Sequence, residues 1–466
     1  MKLLLLNLPK NIDNRFDYDQ VAQPLGIACI SSYAKSNGFD VELFDAHAYH
    51  FTRRKILKHV VESNPDIIGL SVMTYQLPTI ISFLRDLKLV LPAIKVVLGG
   101  PHVNVEYESI LISCKEADVI VRGEGECTIV ELIDALKNGY SLTDIKGIVY
   151  RSEGRIKVNQ QREFIQDINK LPYPDWDSLP MNRYWDVFTT KKNYARVFAS
   201  RGCPYSCTFC SAPEVMGRKI RKRNAEHITG ELKLLYDKFD VREVLFNDST
   251  FNIDNNWVSE ICEGILKMAR PIIWRCNVRA DMLNKETLKL MKRSGCVKVI
   301  MGIESADEEM LRSMKKGETL DQIRKGMAIL KEVKMPSDHG FILGMPGETV
   351  ESIKKTVSFA KETKASVVTF SLATPFPGTL FYEQAKREGL KIDDWSKFDF
   401  YGIPYVPKGM TKQQLQYYYR YALKQFYLRP SYLFKRLLEM KSWTNFKINL
   451  WYAFRIFRRK FASVSI

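Results

Sequence analysis

Three cysteines lie close together on one short segment, Arg201-Gly-Cys203-Pro-Tyr-Ser-Cys207-Thr-Phe-Cys210. A [4Fe–4S] cluster normally takes four cysteine ligands, so three thiolates on one loop would leave one iron open to another ligand. Zinc sites instead favour paired C-x2-C units with a second pair elsewhere, which this sequence lacks. The spacing therefore predicts a cluster that performs chemistry, with Cys203, Cys207 and Cys210 as its ligands.

This segment, with Phe209 immediately before the third cysteine, resembles the cluster motif of the radical S-adenosylmethionine (radical SAM) superfamily. In that family the open iron holds the amino and carboxylate groups of SAM. The resemblance implies that the reduced cluster cleaves SAM to methionine and a 5′-deoxyadenosyl radical. That radical would abstract hydrogen from an unactivated carbon, so the resemblance implies an enzyme whose cofactors include SAM and a [4Fe–4S] cluster.

The chain of 466 residues is long enough for two or three domains, each with a sizeable core. Its nine cysteines show no disulfide spacing, and three of them are needed as thiolates, so we expect a reducing, cytoplasmic location. The four leucines after Lys2 end at Asn7 and are typical of a strand, not of a signal peptide. No run of about eighteen apolar residues occurs, so the sequence predicts no membrane span.

Residues 1–145 alternate between strand and helix patterns, which predicts a doubly wound, Rossmann-like α/β domain. Ligands of such sheets bind beyond the carboxyl ends of the strands. The predicted strands are short apolar runs bounded by Gly, Pro, Asn or Asp, namely Lys2–Leu8, Phe39–Asp45, Asp66–Val72, Lys95–Gly100 and Asp118–Arg122.

This region resembles the cobalamin (B12)-binding domain that precedes the radical SAM core in one large subfamily. The matching segments are Gln23-Pro-Leu-Gly26, Pro65-Asp-Ile-Ile-Gly-Leu-Ser71, Gly99-Gly-Pro-His102 and Gly123-Glu-Gly-Glu126. The resemblance implies cobalamin contacts from the loops at the strand ends, by Pro9, Gln23, Ser71, Thr74, Gly99, Gly100, His102 and Glu124. A flavodoxin-like fold that no longer binds cobalamin is the alternative.

The segment Asp45-Ala-His47-Ala-Tyr-His50 departs from the D-x-H-x-x-G motif with which some cobalamin domains ligate cobalt. Asp and His are present, but the glycine is absent. The radical SAM subfamily usually lacks that histidine ligand. We therefore expect no bond from His47 to cobalt.

Residues 146–194 are expected to form a linker, because Leu171–Pro180 holds three prolines in ten residues. Residues 195–385 then show a second alternating pattern with six strand candidates, fewer than the eight of a closed barrel. Six is the count of the partial (β/α)6 barrel of radical SAM enzymes, which this region resembles. The candidates are Arg196–Ser200, Val241–Asn247, Pro271–Val278, Val297–Ile303, Asp338–Leu343 and Ser366–Leu372. The cysteine loop follows the first of them.

The loops after the other barrel strands hold the residues that the resemblance assigns to SAM. One of them, Phe246-Asn-Asp248-Ser-Thr-Phe251, resembles the subfamily's F-x-D-x-x-F. The expected SAM contacts are Phe209, Asp248, Glu304, Ser305, Ile342 and Gly344, and Arg275 and Arg279 are expected to reach substrate or the SAM carboxylate. Taken singly, an acidic residue at a strand end is often only a helix cap. Beyond the cluster and the cofactors, the sequence assigns no catalytic side chain.

The net charge of +17 is concentrated near the C-terminus, where Arg420–Ile466 hold eleven Lys or Arg against one acid, Glu439. Residues 386–466 are predicted to form an α-helical tail, with an aromatic stripe at helical spacing from Phe446 to Phe461. Such a stripe flanked by cations suits an interfacial helix on anionic lipid. Packing of the stripe on the barrel is the alternative. A second basic run, Arg218–Arg223, is compatible with an RNA patch, but its position favours a solvated loop that covers the cluster.

These patterns together resemble the B12-dependent radical SAM enzymes, the group that includes the anaerobic magnesium-protoporphyrin IX monomethyl ester cyclase and many carbon methyltransferases. The resemblance implies methylation of an unactivated carbon, with methylcobalamin as the methyl donor and a second SAM to regenerate it. One alternative is radical cyclisation or carbon–carbon bond formation on a lipid-like or tetrapyrrole substrate, and another is an RNA-modifying radical SAM enzyme. The expected partners are a small-molecule or lipid-like substrate and an electron donor such as flavodoxin or ferredoxin. We expect no nucleic acid, and peripheral contact with the inner membrane face through the tail.

Overall fold

The computed structural model describes residues 1–13, 20–186, 188–191 and 193–439. Up to residue 186 the elements are, in chain order, β1 (Lys2–Asn7), β2 (Gln20–Val21), α1 (Leu25–Ser36), β3 (Asp40–Asp45), α2 (Arg53–Ser63), β4 (Ile67–Ser71), α3 (Leu77–Val90), β5 (Lys95–Gly99), α4 (Tyr107–Ser113), β6 (Val119–Val121), α5 (Gly125–Asn138), β7 (Ile148–Ser152), β8 (Arg155–Val158) and β9 (Trp185–Asp186).

The first sheet has the strand order β3-β1-β4-β5-β6-β7-β8, and its first five strands are parallel. The central strands are apolar on both faces, as in β1, where Leu3–Leu6 are all buried, because helices cover both sides of the sheet. The chain order reverses between β1 and β4, and in sheets of this kind that is where a crevice opens beyond the carboxyl ends. The predicted doubly wound domain is confirmed.

Strands β7 and β8 form a hairpin that the sequence analysis did not find. β7 pairs antiparallel with β6, and β8 pairs antiparallel with β7. The two residues between them, Glu153 and Gly154, both have positive φ, 50° and 74°, as a tight two-residue hairpin turn requires. These strands fall within the range that the sequence assigned to the linker, so the first sheet continues past residue 145.

The remaining elements are β10 (Tyr194–Val197), β11 (Ser200–Arg201), α6 (Ala212–Met216), β12 (Arg221–Lys222), α7 (Ala225–Phe239), β13 (Glu243–Phe246), α8 (Asn255–Lys267), β14 (Ile273–Val278), α9 (Lys285–Arg293), β15 (Cys296–Glu304), α10 (Glu308–Ser313), α11 (Leu320–Val333), β16 (Ser337–Leu343), α12 (Val350–Glu362), β17 (Val367–Leu372), α13 (Leu380–Arg387), α14 (Lys412–Tyr427) and α15 (Pro430–Glu439).

Six of these strands form a parallel sheet in the order β10-β13-β14-β15-β16-β17, so the predicted partial barrel is confirmed. Several helices begin at a residue whose side chain accepts a backbone N–H of the first turn, as Asp254 does for α8 and Asn284 for α9. These caps fix the point at which each loop turns into a helix. The helix N-termini and the carboxyl ends of the strands therefore lie at the same end of the barrel, where the cysteine loop also begins.

The helix α14 lies against α12 and β17 on the outside of the barrel. Its Leu415, Leu423 and Phe426 are buried, and the hydroxyl of Tyr432 donates to the carbonyl of Ser366 at 3.2 Å. The first part of the predicted tail therefore packs on the outer face of the barrel. The aromatic stripe from Phe446 to Phe461 lies outside the described residues. In the part of the chain that is described, no helix is long and apolar enough to cross a bilayer.

Candidate active site

The start of the cysteine loop is held by the chain segment that returns after it. Strand β11, directly before the loop, pairs antiparallel with β12, and the backbone N–H of Cys203 donates to the carbonyl of Gly217 at 3.0 Å. Gly202 has φ of +100°, and a Cβ built there would lie 2.2 Å from the carbonyl oxygen of Lys219. Only glycine allows the backbone to approach so closely with that φ.

The end of the loop is held between two helices. Thr208 donates its N–H to the carbonyl of Met314, which follows α10, at 2.9 Å, and accepts the N–H of Phe381 from α13 at 2.8 Å. Phe209 packs against an apolar cluster that contains Met314 and Phe381, and Ile342 of β16 packs against the same cluster. The structure thus brings two of the residues expected to contact SAM, Phe209 and Ile342, to one apolar patch beside the cysteines.

The three cysteines lie on one loop and differ in burial. Cys203 is buried, while Cys207 and Cys210 are half-buried. Burial raises the pKa of the Cys207 thiol to about 11, and because iron binds thiolates, cluster assembly must release its proton. Among the described residues no three His, Cys, Asp or Glu side chains converge on one metal ion. Convergence is not expected of a cubane, in which each cysteine binds a different iron.

A chain of buried charges lies next to Cys207. Glu304 ends β15 with φ of +70°, and its carboxylate lies 3.5 Å from the ammonium of Lys316, which in turn lies 3.2 Å from Glu318. Burial raises the pKa of Glu304, and the two neighbouring carboxylates raise the pKa of Lys316 although burial opposes them. The site therefore offers an ammonium and a carboxylate beside the loop, groups able to pair with the carboxylate and amino group of an amino acid such as SAM.

Glu304 could be predicted from the sequence, whereas Lys316 and Glu318 could not. Both follow α10 in the turn Lys315-Lys316-Gly317-Glu318, and only Gly317, with φ of +72°, hints at the turn. Nothing in a linear pattern says that this turn folds back on the strand end of β15. The signal available in the sequence was a charged, glycine-containing turn after a short helix, which is common on protein surfaces.

Arg279, expected to reach substrate or SAM, clamps the cysteine loop. Its guanidinium lies over the ring of Tyr205 at 3.7 Å, forms an ion pair with Asp281 at 3.0 Å and donates to the carbonyl of Lys316 at 3.0 Å. Glu318 lies 3.7 Å away. These contacts join the end of β14 and the turn after α10 to the loop that carries the cysteines.

Arg275, within β14, lies towards the opposite end of the barrel. It is about 1% exposed and lies 3.0 Å from Glu243, the first residue of β13. The other oxygen of Glu243 accepts the backbone N–H groups of Thr190 and Lys191, which close the barrel at that end. The structure therefore does not bring Arg275 together with the cysteine loop.

Asp248 lies fully buried behind the loop. Its carboxylate accepts the hydroxyl of Ser200 and the N–H of Ala199, so it fixes the two residues that lead into the cysteine segment. Burial raises its pKa to about 6, although these hydrogen bonds oppose the shift.

The remaining residues expected near SAM flank the ends of β15 and β16. The hydroxyl of Ser305 lies 3.2 Å from that of Thr356 on α12, so it joins the end of β15 to a helix. Gly344 has φ of +92°, donates its N–H to Glu348 at 3.2 Å and leaves a gap that Leu415 of α14 approaches. Ser305 is therefore positioned by its contact with α12, and Gly344 by its contact with α14.

The loops at the carboxyl end of the first sheet form a shallow cradle. Pro9 and Thr74 follow β1 and β4, Ser71 and Gly99 end β4 and β5, and Gly100 follows β5. A Cβ at Gly100, where φ is +98°, would lie 2.7 Å from the hydroxyl of Ser71, so the backbone runs close beside that strand end. Small residues therefore allow the two strand ends to lie close together at this edge of the sheet.

His102 gives this cradle an unsatisfied polar group. The side chain is about 1% exposed, and neither ring nitrogen has a hydrogen-bond partner within the described chain. Burial lowers its pKa to about 4, so the imidazole is neutral, and Trp395 contacts its edge at 4.7 Å between ring centres. A neutral ring with a free donor and a free acceptor fits a ligand that carries amide groups, as cobalamin does.

Gln23 and Glu124, also expected to touch cobalamin, join the two domains. The amide of Gln23 donates to the carbonyl of Tyr194 at 2.8 Å and accepts the N–H of Arg196 at 3.2 Å, so it pairs with the edge of β10. Glu124 forms ion pairs with Arg201 at 2.8 Å and with Arg221 at 2.7 Å. Both side chains have protein partners for their polar atoms.

The loop at His47 is organised by Asp45. One carboxylate oxygen of Asp45 accepts the N–H groups of His47 and Ala48, and the other accepts the hydroxyl of Tyr184 at 2.8 Å. In this arrangement the aspartate orients its own loop and a residue of the connection to the barrel.

The carboxyl ends of the two sheets face each other. The side chain of Asn104, after β5, donates to the carbonyl of Glu214, after the cysteine loop, at 2.8 Å. A Cβ at Gly378, after β17, would lie 2.8 Å from Val105. Arg201, two residues before Cys203, is bonded to both Glu124 and Glu126. A ligand on the first sheet would therefore lie opposite the mouth of the barrel.

Residues 197–360 match the radical SAM superfamily, and residues 15–133 match the B12 binding domain. An uncharacterized methyltransferase of Pyrococcus horikoshii is 32% identical over 440 residues, which cover 94% of this chain and 95% of the relative. The anaerobic magnesium-protoporphyrin IX monomethyl ester cyclase of Rubrivivax gelatinosus is 27% identical over 418 residues, 88% of this chain and 74% of the relative.

The fold is similar to that of a solved radical SAM methyltransferase, TsrM from Kitasatospora setae, whose structure contains cobalamin and a [4Fe–4S] cluster. The TM-score is 0.70 at 16% identity, over 92% of this chain and 89% of that one. With two facing sheets, a three-cysteine loop and these matches, the chain belongs to the family of B12-binding radical SAM enzymes, whose cofactors are a [4Fe–4S] cluster, SAM and cobalamin.

Proposed function

We propose that the protein is a B12-dependent radical SAM methyltransferase that methylates an unactivated carbon of a small-molecule or lipid-like substrate. The observation that carries the proposal is the contact of Arg201 with both Glu124 and Glu126. It ties the cysteine loop to the strand end of the cobalamin-binding domain. A methyl group offered from that domain would therefore lie opposite the place where a substrate radical is made.

The relatives support methyl transfer over the alternatives. The relative with the highest identity reported above is named a methyltransferase and matches along almost its whole length. The solved enzyme of similar fold is also a methyltransferase. The cyclase of Rubrivivax gelatinosus is less similar and longer than this chain.

When bound, the cofactors would supply reductive cleavage of SAM at the cluster and a methyl group carried on cobalt. The protein's own residues position and enclose these groups. Lys316 and Glu304 would hold the carboxylate and amino group of SAM, while Phe209 and Ile342 provide the apolar surface beside it. Arg275 and Glu243 form a buried ion pair at the opposite end of the barrel.

The test uses anaerobically purified protein, reconstituted with iron, sulfide and cobalamin. It is incubated with a reductant, SAM that carries a deuterated methyl group, and a small-molecule and lipid extract of the source cells. We expect 5′-deoxyadenosine and S-adenosylhomocysteine to rise together, and one compound of the extract to gain the deuterated methyl group. 5′-Deoxyadenosine that rises without S-adenosylhomocysteine would instead support cyclisation or carbon–carbon bond formation. An absorbance spectrum with a cluster but no cobalamin would contradict the proposal.

A further inference from the structure

An aromatic pair lies at the carboxyl end of β17, outside the site described above. The rings of Phe376 and Phe400 are 5.0 Å apart and inclined by 59°. Phe376 is in the loop that follows β17, and the carbonyl of Phe400 accepts the backbone N–H of Leu372, the last residue of that strand, at 2.9 Å. Because β17 is an edge strand, the pair lies at the free edge of the six-stranded sheet.

The loop that carries Phe376 is held in one conformation. Pro375 and Pro377 lie on either side of it, and both are buried. The carbonyl of Phe376 accepts the backbone N–H of Thr379 at 3.2 Å and the hydroxyl of the same residue at 2.7 Å. The prolines restrict the backbone on both sides of Phe376. The half-buried ring is therefore held in place before any ligand binds.

Phe400 is exposed although its backbone is strained. Its φ is +69°, in the left-handed region that bulky residues rarely adopt, and its side chain is 49% exposed. The turn is imposed by Asp399, whose carboxylate accepts the N–H groups of Tyr401 at 3.1 Å and Gly402 at 2.8 Å. An apolar ring that is half in water adds little to stability, and backbone strain of this kind is concentrated at ligand-binding sites.

Both segments of the pair also reach the first domain. Asp399 forms an ion pair with Lys10, in the loop after β1. Gly378, two residues after Phe376, lies so close to Val105 of the loop after β5 that a Cβ there would be 2.8 Å away. The loops after β1 and β5 belong to the edge expected to hold cobalamin. The aromatic pair therefore lies where the carboxyl end of the barrel meets that edge.

Apolar side chains continue the surface beside the pair. Tyr401 is 45% exposed, and Leu380, the first residue of α13, is 55% exposed. Lys397, on the same segment as Phe400, is also exposed. Other charged side chains on these segments are paired, namely Lys10 with Asp399, Glu383 with Lys386, and Glu106 with the hydroxyl of Tyr382. Two exposed aromatic faces in such surroundings fit a flat, uncharged group.

We propose that Phe376 and Phe400 bind a flat, conjugated part of the methyl acceptor and thereby help to select the substrate. Aromatic rings pair with other π-systems by offset stacking or by edge contacts, which adds to the gain from buried area. A group bound there lies between the loops of the two cofactor-binding domains. The inference rests on the proposed function, and it narrows the substrate to a compound with a conjugated ring system.

The test uses the full-length protein, loaded with its cluster and cobalamin, in the assay with deuterated SAM and cell extract. Phe376→Ala, Phe400→Ala and Phe400→Gly are compared with Tyr140→Ala, which removes an exposed aromatic ring of the first domain. Glycine adopts a positive φ without strain, so Phe400→Gly separates loss of the ring from misfolding. The measurements are the amount of extract that gives half-maximal methylation, the 5′-deoxyadenosine formed without extract, and the ultraviolet spectrum of the methylated compound.

We expect each of the three variants at the pair to need about tenfold more extract for half-maximal methylation. Tyr140→Ala should behave like the wild type, and so should Phe400→Tyr, which keeps an aromatic ring. The 5′-deoxyadenosine formed without extract should be equal in all proteins, because the pair does not hold SAM. The methylated compound should show the ultraviolet absorbance of a conjugated ring system.

An unchanged need for extract in the three variants would overturn the aromatic contact and leave methyl transfer intact. A methylated compound that is wholly aliphatic would do the same. Loss of 5′-deoxyadenosine in the variants would show that the pair supports SAM instead of the substrate, which also overturns the inference. Wild-type protein that forms 5′-deoxyadenosine but methylates nothing would contradict the proposed function itself.

Discussion

The guanidinium of Arg279 lies 3.7 Å from the centre of the Tyr205 ring, so a residue at the end of β14 holds the middle of the cysteine loop. The same arginine is paired with Asp281, and Glu318 is completely buried nearby. The position of the loop therefore depends on a charged cluster that belongs to other strands.

Replacement of Arg279 by Met should destabilise the fold and impair cluster assembly. Removing one partner from a buried charge cluster costs about 3 kcal/mol, because the remaining carboxylates lose their counter-charge. We expect a lower melting temperature and less iron per chain after reconstitution. Tyr205→Phe keeps the stacked ring and is the control, with iron content like that of the wild type. Unchanged iron and melting temperature in Arg279→Met would contradict a clamping role.

The variant Asp248→Asn separates a structural role of this residue from SAM binding. Burial raises the pKa of Asp248 to about 6 from an ordinary value of 3.8. Between those values the folded protein retains a proton that the unfolded chain has released, so this carboxyl makes stability fall as pH rises, by up to about 1.4 kcal/mol per pH unit.

Urea denaturation across that pH range measures the free energy of unfolding. Relative to Asp248→Asn, whose side chain does not titrate, this free energy should fall in the wild type as pH rises. The amide can still accept from Ala199 and donate to Ser200, so iron content and SAM affinity should be retained. A large loss of SAM affinity in this variant, with no difference in the pH dependence of unfolding, would show that Asp248 binds SAM as the sequence suggested.

Replacement of Cys203, Cys207 and Cys210 together by Ala should abolish the iron–sulfur absorbance and all reductive cleavage of SAM. Three cysteines are the ligands available on the loop, and no iron can be retained without them. Iron content and 5′-deoxyadenosine formation are the measurements. Cys127→Ala, a half-buried cysteine of α5, is the control and should retain both. Four irons per chain in the triple variant would show that the cluster is held elsewhere.

His47→Ala should keep its cobalamin and the paramagnetic spectrum of the reduced cobalamin. Asp45 uses its oxygens to hold the backbone of this loop and the hydroxyl of Tyr184. It therefore orients the loop without presenting the imidazole to a ligand. Bound cobalamin is measured by absorbance and the axial ligand by electron paramagnetic resonance. Loss of a nitrogen hyperfine signal in the variant would identify His47 as a cobalt ligand.

The basic tail should bind anionic lipid. Each exposed cation near such a surface contributes about 1 kcal/mol, an attraction that salt weakens. A truncation for this test must follow Glu439, because Leu423 and Phe426 are buried in the barrel. We expect the full-length protein to sediment with anionic vesicles and the truncated protein to remain in solution. Equal partitioning of both proteins, or indifference to lipid charge, would favour a soluble substrate.

The strands of both sheets could be predicted because short apolar runs end at Gly, Pro, Asn or Asp, and each predicted run overlaps an observed strand. The hairpin of β7 and β8 was missed for a physical reason. Its strands are only five and four residues long, and much of β8 is exposed, so little apolar pattern marks it. The linker was predicted to begin at residue 146 because of the three prolines in Leu171–Pro180. The first sheet instead continues to Val158, the last residue of β8.

Residues of the site could be predicted only where one short, continuous segment of the sequence forms a recognisable motif. The cysteine loop is such a segment, and the structure holds it as one unit. Lys316 and Glu318 could not be found, because their role depends on how a turn after α10 meets the end of β15. Gln23 and Glu124 were placed at the correct edge of the first sheet, but their partners, on β10 and around the cysteine loop, come from the other domain.

The two hydrogen bonds between the side chain of Gln23 and the backbone of β10 also bear on how the chain avoids self-association. The six-stranded sheet is open, so β10 is an edge strand whose free N–H and C=O groups could pair with another molecule. The amide of Gln23 occupies one donor and one acceptor of that edge, and it comes from the domain that a ribosome completes first. The first domain therefore covers part of the free edge of β10 and leaves fewer backbone groups there for pairing with another molecule.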